Sequence, residues 1–154
     1  MKTALFPGTF DPFTLGHASI VNRGLNLFDR IVIGIGINSD KKALFSPEER
    51  MEQIQACFAD EPRVEVCFYE GLTVDIAKEI GAAYILRGVR TITDFEYELL
   101  LSDVNRKLTG IETVCLFAES QMAGIQSNVV RDLLKFNKDV RDYLPEAICK
   151  LLKK

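Results

Sequence analysis

No stretch of this chain is apolar for long enough to cross a bilayer. The longest run, Ile31–Ile37, has seven residues, where a spanning helix needs ~20. The start carries no cationic segment followed by a long apolar region, so no signal peptide is expected. The cysteines form no C-x-x-C pair: Cys57, Cys67, Cys115 and Cys149 are scattered, each among apolar neighbours. That argues against a zinc site or a disulfide framework and predicts reduced, buried thiols in a cytoplasmic protein. There is no basic excess, and the net charge of −3 gives no electrostatic case for a nucleic-acid partner. No P-loop lysine motif is present, and no serine or cysteine sits in a nucleophile elbow. Linkers, low-complexity tracts and internal repeats are also missing. What remains is an ordinary globular composition, 47% hydrophobic and 27% charged over 154 residues. It predicts one domain, 1–154, with enough chain to bury a core.

The pattern alternates strand and helix. Strands are expected at Thr3–Phe6, Ile31–Ile37, Val64–Phe68, Tyr84–Leu86 and Thr113–Phe117. Ile31–Ile37 is a continuous β-branched run, as expected of a strand buried on both faces. Helices are expected at Thr14–Phe28, from Ser46 to about Phe58, at Thr73–Ile80 and at Thr91–Leu108, then after Gln126–Asn128 and from Pro145. Ser46-Pro47-Glu48-Glu49 reads as a capping box with proline at the first helical position, and Thr91 with Asp94 reads as a second box. Five strands separated by helices imply an α/β fold, a Rossmann-like doubly wound sheet of five parallel strands. Such sheets bind ligands outside the carboxyl ends of their strands, where strand order reverses. That directs attention to Gly8–His17, Asn38–Lys42, Glu70–Thr73, Arg87–Arg90 and Ala118–Asn128.

The opening segment is the most informative: Phe6-Pro7-Gly8-Thr9-Phe10-Asp11-Pro12-Phe13-Thr14-Leu15-Gly16-His17. A strand, a glycine loop and a helix start bring backbone N–H groups and a helix N-terminus up to a phosphate. His17, the single histidine, sits in the first turn of that helix, where it can donate a hydrogen bond. Taken alone, Lys41 is as well read as a loop lysine, and Glu98 is better read as a solvated helix acid. Arg87 and Arg90 bracket Gly88-Val89 next to a strand and would make an anion clamp.

G-T-F-D-P-x-T-x-G-H resembles the T-x-G-H form of the nucleotidyltransferase superfamily motif, the form of the bacterial phosphopantetheine adenylyltransferase family. The resemblance runs over the whole chain. Ser39-Asp40-Lys41-Lys42, Phe45–Arg50, Leu86–Arg90, Asp94–Glu98 and Asn105-Arg106 match in order. It implies transfer of AMP from ATP to 4′-phosphopantetheine, with Mg²⁺ as cofactor, a homo-oligomer of six copies and feedback by coenzyme A. It also implies His17 and Lys41 as catalytic residues. Thr9, Lys41, Thr73 and Arg87 would contact the acceptor. Thr9, Phe10, His17, Gly88, Val89, Arg90 and Glu98 would contact ATP, with Met122, Ala123, Gly124, Ile125, Gln126, Ser127 and Asn128. No protein metal ligand is implied. The chain departs from the family at Gly124–Arg131, where Gln126 and Asn128 replace serines and the upstream tryptophan of some members is missing. Two other functions stay open on sequence. One is a related transferase acting on nicotinate mononucleotide, or on a glycerol phosphate with CTP. The other is a nucleotide-binding module without catalysis.

Overall fold

The computed structural model describes residues 1–153. Its strands are β1 (Thr3–Gly8), β2 (Arg30–Gly36), β3 (Val64–Tyr69), β4 (Tyr84–Val89) and β5 (Glu112–Phe117). Its helices are α1 (Leu15–Gly24), α2 (Pro47–Cys57), α3 (Thr73–Glu79), α4 (Ile92–Thr109), α5 (Ser127–Lys135) and α6 (Glu146–Leu152). All paired strands are parallel and lie in the order β3-β2-β1-β4-β5. The chain moves outward from β1 to β3, then returns across β1 to build β4 and β5. Strand order therefore reverses between β1 and β4, and the crevice of a doubly wound sheet opens there.

Period-2 alternation sorts the strand side chains onto two faces. Ala4, Phe6, Ile31, Ile33, Ile35 and Leu86 join Ile54, Val130 and Ile148 in the larger core. Leu5, Val32 and Ile85 point the other way and pack with Val74, Ala77 and Ile111. β1 and β2 are buried almost end to end, as strands covered on both faces must be, whereas β3 and β5 at the edges are half exposed. Each fully buried Leu, Ile or Phe contributes roughly 1.5–3 kcal/mol, which makes the sheet a rigid base for the loops at its end.

Several boundaries differ from the sequence reading. β4 runs on through Arg87-Gly88-Val89, pairing residue by residue with Cys115-Leu116-Phe117. Arg87 is thus a strand residue rather than a loop residue. α1 stops at Gly24, four residues short of Phe28. A Cβ on Gly24 would lie 2.8 Å from Leu86 Cδ2, so the helix ends where its backbone presses on the sheet. Phe28 still packs inside, against Tyr84. The Ser46 box is complete, with Glu49 N–H donating to Ser46 Oγ and Ser46 N–H to Glu49 Oε2. The Thr91 box is half made: Asp94 N–H donates to Thr91 Oγ1, but the Asp94 carboxylate accepts from Arg90 N–H instead. The thiols are all free, yet only Cys149 is buried. Cys57 and Cys67 are half-buried and Cys115 is exposed on the edge strand, because β5 has no neighbour on its far side within the chain.

Candidate active site

Two cavities meet at the carboxyl end of β1, on either side of the β1–β4 reversal. One, of about 900 Å³, is lined by Asn38, Lys41, Tyr69, Thr73 and Asn105 among others. The other, of about 490 Å³, is lined by His17, Gly88, Arg90, Met122, Ile125, Gln126, Ser127 and Asn128, together with Phe10 and Gly16. Thr9, Arg87, Tyr97 and Glu98 line both and mark the boundary between the lobes. The cleft thus gathers the T-x-G-H segment, Lys41, Thr73, the arginines and the start of α5. Val89, Ala123 and Gly124 are absent from its wall among the described residues. Val89 faces the core, and its carbonyl accepts Ala118 N–H.

His17 is built into a helix cap. Thr14 is the N-cap of α1, and its Oγ1 accepts His17 N–H while Thr14 N–H donates to His17 Nδ1 at 3.0 Å. Histidine thus takes the place that Glu or Gln fills in an ordinary capping box. Because Nδ1 accepts a backbone N–H, the ring proton must sit on Nε2. That leaves one N–H donor for a ligand in the cavity that His17 lines. Phe6, Phe10 and Phe13 surround the ring, Phe10 edge-on at 5.0 Å between centroids. Burial, and then the charges of Arg90 and Arg87, push the His17 pKa down from 6.5 to about 3. The imidazole is therefore neutral at physiological pH.

The loop between β1 and α1 is clamped from several directions. Phe10 adopts φ +53°, a left-handed conformation that costs a residue with a side chain roughly 1–3 kcal/mol. Its ring folds back over Gly8, where a Cβ would come within 2.8 Å of the ring tip. Gly8 has to be glycine to admit that ring. Gly16 differs, since a Cβ there would meet only ordinary contacts at 3.5 Å or more from the chain's own atoms. The buried Arg50 donates to Thr9 O, Arg131 to Asp11 O, and Ser127 Oγ to Pro12 O. The buried Asp11 carboxylate accepts Leu44 N–H and Phe45 N–H, both at 2.8 Å. It ties the segment that carries Lys41 to the loop that carries Thr14 and His17.

The cationic groups are partly spoken for. Arg87 donates from Nε to Glu98 Oε1 and from Nη1 to Pro7 O. Arg90 donates from Nη1 to Ile125 O and lies 3.5 Å from the Asp94 carboxylate. Lys41, on an exposed loop, makes no ion pair among the described residues. Tyr69 Oη lies 3.3 Å from Thr73 Oγ1. At α5 the N-cap is Gln126, whose side chain makes no capping bond among the described residues, and Ser127 has already spent its hydroxyl on Pro12. The first N–H groups of α5 therefore have no side-chain cap among the described residues, and Gln126, Ser127 and Asn128 at that helix end line the smaller cavity. Asp11, Arg50, Arg131, Tyr69 and Tyr97 carry much of this geometry without having been assigned a role from sequence. Asp11, Arg50 and Tyr97 fall in the matching segments and Arg131 in the segment that departs from the family, while Tyr69 falls in neither.

The family model described as cytidylyltransferase-like matches residues 5–133. The phosphopantetheine adenylyltransferase of Phocaeicola vulgatus is 54% identical over 96% of this chain and 98% of its own. That of Bacteroides thetaiotaomicron is 49% identical, again over 96% of this chain and 98% of its own. The Leuconostoc citreum protein of the same name is 42% identical over 99% and 98%. With the fold, the two-lobed cleft and the capped histidine in place, the chain belongs to the phosphopantetheine adenylyltransferase family of cytidylyltransferase-like proteins.

Proposed function

We propose that the chain transfers the adenylyl group of ATP to the phosphate of 4′-phosphopantetheine, giving dephospho-coenzyme A and pyrophosphate. The names of its relatives support the reaction, and the neutral His17 at the wall of a two-lobed cleft supports the mechanism. An oxygen of the acceptor phosphate attacks the α-phosphorus. The bond from that phosphorus to the bridging oxygen breaks, and the electron pair leaves with pyrophosphate. The acceptor phosphate is already ionised at neutral pH, so no base and no covalent intermediate is required. Catalysis is positioning of the two reactants plus stabilisation of charge on the α-phosphate.

In this reading the larger lobe holds the acceptor, with Lys41 and Arg87 on its phosphate and Thr73 along its arm. The smaller lobe holds ATP, with Arg90, Gly88 and the α5 start at Gln126, Ser127 and Asn128 around the phosphates. Thr9 stands at the junction and touches both, and Phe10 acts by holding the His17 ring. His17 Nε2–H donates to an α-phosphate oxygen. With its pKa pushed down to about 3, it serves as a donor and does not release a proton. Mg²⁺ belongs to this proposal as the counter-ion of ATP, held by phosphate oxygens and water. Among the described residues no cluster of three His, Cys, Asp or Glu side chains offers a resident metal site.

The proposal places the enzyme in the cytoplasm. No described helix is long and apolar enough to cross a membrane. It also assigns self-association to α4, where Ile92, Leu99, Leu100 and Leu108 are each at least 60% exposed. Further copies of the chain would cover that face. The number six comes from the family resemblance, and light scattering at working concentration tests it. Coenzyme A, which shares the pantetheine arm and the adenylyl group, would compete for the same cleft.

The test is pyrophosphate release from ATP and Mg²⁺ with 4′-phosphopantetheine, compared with nicotinate mononucleotide and with glycerol phosphate plus CTP. Release that depends on 4′-phosphopantetheine is expected. Release with another acceptor alone would overturn the assignment of substrate.

A further inference from the structure

The environment of Glu98 gives it a task beyond the contact with ATP that the resemblance implies. α4 has 18 residues, and Glu98 is the buried one, 5% exposed. Taking a carboxylate out of water is unfavourable unless an opposite charge and hydrogen bonds replace the solvent. Arg87 supplies both, donating from Nε to Glu98 Oε1 at 2.8 Å. The same guanidinium donates from Nη1 to Pro7 O at 2.7 Å, across the β1–β4 pair. Two bonds on different edges of a planar group fix both its position and its plane. A guanidinium has five N–H groups, and the other three are the ones Arg87 can offer to a ligand. Both Arg87 and Glu98 line both lobes, so those donors lie on the boundary between the two reactants.

We infer that Glu98 is a positioning residue that acts through Arg87, holding the guanidinium aimed at the acceptor phosphate where the lobes meet. Without the carboxylate, the arginine keeps one anchor, on Pro7, and is free to rotate about it. Binding of the acceptor phosphate then carries the cost of ordering the guanidinium, which the native pair has already met. The inference rests on the adenylyl-transfer reading above.

The test compares wild type, Glu98→Ala, Glu98→Gln, Arg87→Ala and the double alanine variant in pyrophosphate release. Calorimetric titrations with ATP and with 4′-phosphopantetheine accompany the kinetics. One hydrogen bond to a charged group corresponds to about a 10-fold effect. Glu98→Ala should therefore raise KM and Kd for 4′-phosphopantetheine about 10-fold, and by more than it raises those for ATP. Glu98→Gln keeps a carbonyl oxygen for Arg87 Nε–H, so it should recover most of the loss. The double variant should be no worse than Arg87→Ala alone, because the two residues act as one unit. Should Glu98→Ala not fold, Glu98→Asp, whose carboxylate ends one methylene short of Arg87, is expected to give the same split. A rise confined to the ATP constants, or fully additive effects in the double variant, would overturn the inference. An inactive wild type would instead overturn the transfer reading, and this inference with it.

Discussion

Because His17 is the single histidine, its protonation can be followed without interference from any other ring. Three phenylalanines surround the imidazole, Thr14 N–H occupies Nδ1, and Arg90 and Arg87 add repulsion against a second proton. Burial, and then the charges of Arg90 and Arg87, push the pKa to about 3. At pH 5 only about 1% of the rings would then be protonated, against about 97% for a histidine at its ordinary 6.5. The sign for stability follows from the same shift. The unfolded chain takes up the proton near pH 6.5 while the folded chain refuses it until about pH 3. The contribution to stability is thus full above pH 6.5 and is lost as pH falls toward 3. The assay is a pH titration of the ring carbon and nitrogen shifts in the ligand-free protein. One set of signals should persist down to pH 5, in the form protonated on Nε2 alone. ATP, by bringing negative phosphates to the ring, should move the midpoint upward. A titration centred near 6.5, or a proton on Nδ1, would refute both the cap geometry and the role as neutral donor.

Other expectations follow from the clamps on the loop. Asp11→Ala leaves Leu44 N–H and Phe45 N–H without their carboxylate and should cost roughly 2–4 kcal/mol in a denaturant melt. It should also raise KM for 4′-phosphopantetheine, because the segment carrying Lys41 is released; an unchanged KM would separate that segment from acceptor binding. Gly8→Ala sets a methyl 2.8 Å from the Phe10 ring. Overpacking of this kind costs ~1–3 kcal/mol, and since the displaced ring braces His17, kcat should fall by about tenfold or more in steady-state assays.

The alternation of strands and helices was legible because buried parallel strands are continuous apolar runs bounded by strong caps. Ile31–Ile37 and the Ser46 box show this most clearly. The end of β4 was not. Arg87 interrupts the apolar run at the point where the strand leaves the core, and pairing with β5, a long-range contact, carries it on to Val89. The early end of α1 has a similar origin, since only the packed sheet reveals that Gly24 lies against Leu86. In the cleft, His17, Arg87 and Arg90 stood out by type and spacing, whereas Lys41 was singled out by the family resemblance. Residues that act on other residues were hidden. Asp11 reaches 33 positions along the chain to Leu44, and Arg131 reaches back 120 to Asp11. The replacement of serines by Gln126 and Asn128 was visible, but its consequence was not. The structure shows Gln126 as an N-cap that makes no side-chain bond among the described residues, while Ser127, retained from the family pattern, faces the loop instead.

The central claim is that a neutral His17 stabilises the α-phosphate during transfer to 4′-phosphopantetheine. The direct measurement is single-turnover formation of dephospho-coenzyme A by wild type and His17→Ala, with thermal melts of both. The account predicts a ~10²–10³-fold loss of rate in the variant, the usual cost of one transition-state donor, with KM values little changed and the fold intact. A folded variant that turns over within about threefold of wild type would contradict it, since a lost donor of this kind should cost at least ~10²-fold.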